Sequence, residues 1–125
     1  MSATFDTGAL IALERRSQRM RQVVTRAVAL GVRITVPTAV ITEWWRGRTD
    51  ARERILEGLA VEPLTERIAK LAGEAIAAVP KSTSVDAIVM ASAALRGSAV
   101  YTSDVSDLER LRRFFPDVRV FGVGG

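Results

Sequence analysis

The chain contains neither cysteine nor histidine. Without cysteine it can form no disulfide framework, no thiolate zinc site and no cysteine nucleophile. Without histidine, a Ser-His-Asp triad, a His-ligated zinc site and a histidine acid–base pair are excluded as well. Any catalysis by this chain must therefore use carboxylates, hydroxyls, lysine or arginine, supplemented by a bound metal ion.

Long apolar runs are lacking too, since no segment approaches the ~20 apolar residues that span a bilayer. The N-terminal segment MSATFDTGALIAL has no basic region and carries Asp6 where a signal peptide is apolar. We therefore expect a cytoplasmic protein without a membrane segment. The 125 residues fit a single domain over residues 1–125, and 48% apolar content argues against disorder. The last two or three residues, which include Gly124 and Gly125, are expected to fray.

Lysine is scarce, because Lys70 and Lys81 are the only two among 18 basic residues. Arginine pairs with phosphate and stacks on bases, which suits a nucleic-acid partner. Codon bias explains the ratio of arginine to lysine at least as well, because alanine, valine and glycine are also abundant. The net charge of +4 remains as an indication of a polyanionic partner.

Short apolar segments alternate with helical patterns along the chain. Strands are predicted at residues 2–5, 32–36, 99–103 and 118–123, with a short strand or extended link at 61–64. Helices are predicted from residue 7 to about 13, and at 19–31, 37–47, 51–60, 65–79, 85–95 and 104–115. The second helix has an apolar stripe of Met20, Val23, Val24, Ala27, Val28 and Leu30. This order predicts an α/β sandwich with a parallel sheet covered by helices on both faces.

Four acidic residues occupy positions that suggest a site. In an open parallel sheet, ligands bind beyond the carboxyl ends of the strands, near a topological switch point. Asp6 follows the first predicted strand, and Asp104 follows the strand AVYTS. Glu43 is predicted on or beside the buried stripe of its helix, and Asp86 lies in the first turn of another helix among apolar neighbours. Burying an unpaired carboxylate is costly, so these positions require a reason.

Each acid also has a structural interpretation. Asp6 can cap the first helix, and Asp104 can cap a later helix by accepting from the N–H of Asp107. Asp86 can stabilise a helix N-terminus by about 0.3–1 kcal/mol, and Glu43 can pair with Arg46 or another arginine. For each acid considered alone, the structural interpretation is favoured over a catalytic role. Together they are weaker, because two of the acids follow apolar strands and a third is predicted on an apolar helix face.

Converging carboxylates would repel one another and so favour a cation. At about 6 Å and an effective dielectric constant of about 20, one like-charged pair costs about 3 kcal/mol. Oxygen ligands without histidine or cysteine favour Mg²⁺ or Mn²⁺ over zinc. Such a centre polarises phosphate and activates water, so the prediction is phosphodiester hydrolysis in a nucleic acid.

Four segments, FDTGALIALE, PTAVITEWWRG, SVDAIVMASAAL and YTSDVSDLERL, resemble the PIN-domain ribonucleases. More closely, they resemble the VapC toxins of bacterial toxin–antitoxin pairs. The resemblance extends from Phe5 to about Phe121. It implies a three-layer α/β/α sandwich that hydrolyses RNA with Mg²⁺, or with Mn²⁺ as a substitute. The catalytic and metal-binding acidic quartet would consist of Asp6, Glu43, Asp86 and Asp104.

The resemblance also implies further site residues and partners. The additional candidates at the acidic site are Asp107, Thr7, Thr102 and Ser103. A homodimer is expected, together with an antitoxin whose tail lies across the active site and whose arginine neutralises the acids. The candidates for substrate or partner contact are Arg15, Arg16, Arg46, Trp44 and Trp45.

Two of these groups have plain structural alternatives. Adjacent helix positions point about 100° apart, so one of Trp44 and Trp45 is expected in the core. The other is expected to stack on RNA or to lie in an interface. The arginine cluster of Arg15, Arg16, Arg19 and Arg21 is either a solvated loop or an RNA contact.

Other functions fit the sequence less well. A haloacid-dehalogenase-like phosphatase needs a second aspartate two residues after the first, where this chain has Gly8. Neither Lys70 nor Lys81 follows a strand, as the catalytic lysine of a phosphatase or a phosphorelay receiver domain would. A non-catalytic nucleic-acid-binding or regulatory module on the same fold remains an alternative. The four clustered acids argue against such a module, because they would repel its anionic ligand.

Overall fold

Short strands and helices alternate along residues 2–123, the part of the chain that the computed structural model describes. The expected fraying at Gly124 and Gly125 lies outside these residues. The strands are β1 Ser2–Phe5, β2 Arg33–Pro37, β3 Ala60–Glu62, β4 Ala99–Thr102 and β5 Val120–Gly122. The helices are α1 Thr7–Glu14, α2 Gln18–Ala29, α3 Thr38–Trp44, α4 Asp50–Glu57, α5 Glu66–Ala78, α6 Ser84–Arg96 and α7 Val105–Leu111.

The five strands form one parallel sheet in the order β3-β2-β1-β4-β5. The chain moves outward from β1 to β3 on one side, then crosses back to β4 and β5 on the other. Right-handed crossovers in opposite directions place their helices on opposite faces of the sheet. Helices α1–α4 therefore cover one face and α5–α7 the other, which confirms the predicted α/β/α sandwich.

The core lies between the sheet and its two helical layers. Its largest fully buried side chains include Phe5, Leu10, Met20, Met90 and Leu108. Residues 87–93 of α6 are all buried, which explains why this helix is built mainly from small and apolar side chains. Within residues 2–123, no helix combines the length and the apolar character needed to cross a bilayer.

The predicted apolar stripe of α2 is correct only in part. Met20 and Ala27 are buried, but Val28 is 73% exposed and Leu30 is 62% exposed. The helix ends at Ala29, and Gly31 turns the chain towards β2 with a φ of +68°. The last turn of the stripe therefore faces solvent instead of the sheet.

Three further helices end about one turn earlier than predicted. One is α4, which ends at Glu57 and not at residue 60, because β3 begins there. Helix α3 ends at Trp44 and not at Gly47, because Trp45 adopts an extended backbone with φ −72° and ψ 118°. Helix α7 ends at Leu111 and not at Phe115. The residues after it form tighter turns, such as Phe114 N–H to the Leu111 carbonyl, and Pro116 disfavours a helical backbone at the residue before it.

Candidate active site

Two of the predicted acids lie at the same edge of the sheet. Asp6 directly follows β1, and Asp104 lies two residues beyond β4, the neighbouring strand. The backbone N–H of Asp6 donates to the Tyr101 carbonyl over 3.4 Å, which extends the pairing of the two strands to this edge. The chain reverses its direction of travel between β1 and β4, so both acids lie at the topological switch point.

Asp6 combines a structural role with an unusual electrostatic environment. It caps α1, because its Oδ1 accepts from the Ala9 N–H over 2.9 Å. The side chain is only 7% exposed. The pKa of Asp6 is raised from 3.8 to about 6, mainly by burial; the charges of Asp86 and Asp104 add to the rise, and hydrogen bonds from Thr102 and Ala9 oppose it. The predicted cap is present, and the capping carboxyl also lies within the field of two other acids.

Asp86 lies in the first turn of α6, as predicted, and is half-buried. Its N–H donates to the hydroxyl of Thr83, the N-cap of the helix, over 3.2 Å. Burial raises the pKa of Asp86, and the charges of Asp107, Glu43 and Asp104 add to the rise. Asp86 therefore interacts electrostatically with every other carboxylate at this edge, because its own charge also raises the pKa of Asp6.

Asp104 is exposed, and hydrogen bonds favour its charged form. Its N–H donates to the Thr102 hydroxyl over 2.9 Å, and its carboxylate accepts from the Ser106 hydroxyl over 2.9 Å. The Ser106 hydroxyl is the main reason why the pKa of Asp104 is lowered. The predicted side-chain cap on the Asp107 N–H is not found in the described part of the chain.

Glu43 differs from expectation in both its burial and its partner. It is exposed on α3, not on a buried stripe. Its carboxylate accepts from the Thr7 hydroxyl over 2.6 Å. Arg46 donates to the backbone carbonyls of Thr42 and Trp45, and residues 2–123 contain no ion pair between it and Glu43.

The four acids share one electrostatic field without touching. Across residues 2–123, no three carboxylates are close enough together to enclose a metal ion. Two of the acids are hydrogen-bonded to neighbouring hydroxyls, Glu43 to Thr7 and Asp104 to Ser106. Their oxygen donors match the preference of Mg²⁺ or Mn²⁺. Burial is the main cause of the raised pKa of Asp6, and the charges of Asp86 and Asp104 contribute to it, so part of the negative charge at this edge is not compensated by the protein.

The additional candidates at this edge differ in their burial and in their partners. Asp107 pairs with Arg110 over 2.8 Å. Thr102 is fully buried beneath Asp6 and Asp104, and Ser103 is exposed.

Gly8 is a residue whose importance the sequence did not indicate. A Cβ atom at this position would lie 2.0 Å from the Ser103 Oγ. Only glycine therefore allows the loop after β4 to approach the first turn of α1. In the sequence, the only indication of this close approach was that a glycine directly follows Asp6 and Thr7.

Of the two tryptophans, Trp44 lies in the core, as expected for one of the pair, and Trp45 is partly buried against the same core. Trp44 is 3% exposed, and its indole N–H donates to Glu14 over 2.9 Å. Glu14 also accepts from Arg52 over 3.0 Å, so it links α1, α3 and α4. Trp45 is half-buried and packs edge-on against Trp44 with ring centres 6.0 Å apart. The sequence placed Glu14 in a polar run and gave no sign of this role.

Among the candidate contact arginines, Arg46 follows Glu43 by three residues, whereas Arg15 and Arg16 lie away from the acids. Arg15 and Arg16 are exposed at the end of α1, whose eight residues rise about 12 Å from Asp6. Arg19 and Arg21 are exposed on α2. This cluster is therefore not part of the acidic edge.

The fold and this edge together define an α/β/α sandwich with an acidic, oxygen-only site at the switch point of its sheet. The chain belongs to the PIN domain family, whose model matches residues 3–113. The resemblance drawn from the sequence motifs is thereby confirmed. No curated protein matches the chain.

Solved structures share the fold over nearly the whole chain. VapBC2 from Rickettsia felis, bound to a DNA fragment from its promoter, matches with a TM-score of 0.78 at 11% identity, covering 98% of both chains. DNA-bound VapBC from Salmonella typhimurium matches with a TM-score of 0.72 at 19% identity, again over 98% of both chains. A toxin–antitoxin complex from Klebsiella pneumoniae matches with a TM-score of 0.69 at 19% identity over 97% of both chains. At these identities the similarity concerns the fold.

Proposed function

We propose that this chain is a metal-dependent endoribonuclease and the toxin of a toxin–antitoxin pair. The observation that carries the proposal is the group of mutually interacting acids, Asp6, Asp86 and Asp104, at the switch point of a PIN domain. The chain has no histidine or cysteine to support another kind of hydrolytic site. Phosphodiester hydrolysis is the chemistry that such a carboxylate group supports best.

The position of each acid suggests its role in holding the metal ion or the attacking water. Asp6 and Asp104, at the ends of two strands, would anchor Mg²⁺, with Mn²⁺ as a substitute. Asp86 and Glu43 would complete the donor set or orient the attacking water through hydrogen bonds. When bound, the ion would neutralise the clustered charge, polarise the phosphate and lower the pKa of water.

The other residues at the edge hold these acids in place. The Thr7 hydroxyl fixes the carboxylate of Glu43, and the Ser106 hydroxyl fixes that of Asp104. The buried Thr102 hydroxyl lies beneath both strand ends and accepts from the Asp104 N–H. Asp107, paired with Arg110, would tune the charge of Asp86 from outside the donor set.

RNA is the proposed substrate, and the partners follow from the structural relatives. The chain is basic outside the acidic edge, with a net charge of +4, which suits a polyanion. The relatives include VapBC complexes and a toxin–antitoxin complex. We therefore propose an antitoxin that covers the acidic edge, a homodimer, a cytoplasmic location and a single domain over the 125 residues.

Cleavage of end-labelled RNA tests the proposal. Protein stripped with EDTA should lose cleavage, and Mg²⁺ or Mn²⁺ should restore it. Asp6→Asn should abolish cleavage in the presence of metal. Asp117→Asn is the matched control, because Asp117 is an exposed acid that belongs to none of the interactions at the acidic edge.

Two results would contradict the proposal. Full cleavage in EDTA would exclude the metal-dependent mechanism. RNA binding without cleavage, in every metal tested, would favour the non-catalytic binding module instead.

A further inference from the structure

Three aromatic side chains, Phe5, Tyr101 and Phe121, form a row across the sheet on the face that carries α1–α4. They are direct cross-strand neighbours, because Phe5 pairs with Tyr101 and Tyr101 pairs with Phe121. The ring centres are 5.9 Å apart in the first pair, which meets edge-on, and 5.4 Å apart in the second, with the rings tilted by 34°. This aromatic row joins the core to the β5 edge of the sheet.

The aromatic row changes from buried to exposed along its length. Phe5 is completely buried, Tyr101 is partly exposed and Phe121 is 40% exposed. On the opposite face of β5, a Cβ at Gly122 would lie 2.9 Å from Val105 of α7. Strand β5 therefore has a helix against one face, while its aromatic ring faces solvent on the other.

An arginine completes the exposed end of the aromatic row. Arg119 precedes Phe121 by two residues, so both side chains leave the same face of the strand. Its Cζ lies 5.8 Å from the centre of the Phe121 ring. Arg119 is exposed and takes no part in the six ion pairs found within residues 2–123. Its charge is available to a ligand that stacks beside it.

A small cavity of about 230 Å³ adjoins these side chains. Its lining joins Tyr101, Arg119 and Phe121 to Ser2, Ala3 and Ala99, so the cavity lies towards the amino ends of β1 and β4. Cavities that take whole drug-sized ligands measure about 300–1,000 Å³. This one has the size and the apolar floor to receive a single planar group.

We propose that Tyr101, Phe121 and Arg119 form a stacking site for bases of a single-stranded RNA substrate. The inference rests on the proposed ribonuclease function and names the part of the surface that holds the RNA. Aromatic rings stack on any base, and arginine adds a contact to the phosphate. A protein partner is less suited, because a stable protein interface covers about 800 Å² on each side and this patch consists of three side chains.

The position of the aromatic row supports the same ligand. The Tyr101 carbonyl accepts from the Asp6 N–H over 3.4 Å, so the row begins beside the acidic edge. Phe121 lies two strand spacings from β1, which is about 10 Å. At about 3.4 Å for each stacked nucleotide, about three nucleotides would connect the stacking site to the acids.

Binding of a fluorescein-labelled oligoadenylate, followed by anisotropy in EDTA, tests the site without cleavage. Phe121→Leu keeps an apolar side chain but removes the ring, and it should weaken binding about tenfold. Phe121→Trp should restore binding. Arg119→Gln should reduce the dependence of affinity on salt by about one phosphate contact. Leu64→Ala should change nothing, since Leu64 is 47% exposed on the opposite side of the sheet, just after β3.

The outcomes separate this proposal from the proposed function. If the parent protein cleaves RNA and Phe121→Leu neither weakens binding nor raises KM, the stacking site is wrong and the ribonuclease stands. If the parent protein neither binds nor cleaves RNA, both are wrong. If the only effect of Phe121→Leu is a change in the oligomeric mass measured by light scattering, the aromatic row is a protein contact and the RNA proposal is overturned.

Discussion

The Thr7 hydroxyl donates a 2.6 Å hydrogen bond to the carboxylate of Glu43, which lies 36 residues further along the chain. Thr7 is the first residue of α1, directly after the buried Asp6, and Glu43 lies in the last turn of α3. The bond holds an otherwise exposed acid at the edge of the sheet. From there its charge contributes to the raised pKa of Asp86.

Replacing the hydroxyl of Thr7 tests this link. Thr7→Val keeps the shape of the side chain but releases Glu43, and we expect kcat for RNA cleavage to fall about tenfold, as for residues that orient metal ligands. Thr7→Ser keeps the hydroxyl and should retain most of the activity. Equal rates for the valine and serine variants would show that the bond does not contribute to the reaction.

The stability of the metal-free protein should depend on pH through Asp6. The folded protein releases the Asp6 proton near pH 6 and the unfolded chain near 3.8. Between these values the unfolded chain loses the proton first, so the free energy of unfolding falls as pH rises through this window. The difference corresponds to at most about 3 kcal/mol at neutral pH.

Asp6→Asn should remove this dependence, since asparagine does not titrate and still caps α1. In EDTA at pH 7 the variant should be as stable as the parent or more so, and the gain should vanish by about pH 4. Asp6→Ala is the control, which also removes the charge but loses the cap, so it should be about 1 kcal/mol less stable than Asp6→Asn. Chemical denaturation across this pH range measures both effects. A large loss of stability in Asp6→Asn at pH 7 would contradict the expectation that the buried charge of Asp6 destabilises the metal-free fold.

Gly8→Ala should disturb the acidic edge from a position outside the acids. The new Cβ would lie 2.0 Å from the Ser103 Oγ, 3.0 Å from its Cβ and 3.1 Å from its backbone N. The loop that carries Asp104 must therefore shift. We expect a loss of about 1–3 kcal/mol in stability and a lower kcat for RNA cleavage.

Gly73→Ala is the matched control, because Gly73 lies inside α5 with open space around it. It should stabilise the protein by up to about 1 kcal/mol and leave cleavage unchanged. Thermal unfolding and cleavage rates of both variants provide the comparison. Wild-type activity in Gly8→Ala would show that the loop does not need this close approach.

The ends of the RNA products test the mechanism. Ribonucleases that use the 2′-hydroxyl as nucleophile need a general acid and base, most often histidine, and leave a 2′,3′-cyclic phosphate. This chain has no histidine. In-line attack by water should expel the 3′-oxygen and leave a 5′-phosphate and a 3′-hydroxyl.

An RNA with a single 2′-deoxy substitution at the scissile nucleotide distinguishes the two routes. We expect it to be cleaved, and mass spectrometry of both fragments should show the 5′-phosphate. Cyclic phosphate ends, or complete dependence on the 2′-hydroxyl, would contradict attack by water even if the protein is a ribonuclease.

The sequence by itself was sufficient for the features that depend on local chemistry and on the geometry of parallel strands. The alternation of short apolar strands with helices predicted the sandwich. Asp6 and Asp104 could be placed at one edge, because the carboxyl ends of parallel strands meet there. The helix cap at Asp6 followed from a side chain that bonds its own backbone within three residues.

Only the tertiary structure decided the contacts between elements that are distant in the chain. The way helices and loops lie against one another determines three such features. They are the exposure of Glu43 and its bond to Thr7, the bond from Trp44 to Glu14 across 30 residues, and the approach of Ser103 to Gly8. The aromatic row likewise requires β1, β4 and β5 to be neighbours in register. No local period in the sequence encodes these distances, because they arise when the packing of the core fixes the layers relative to each other.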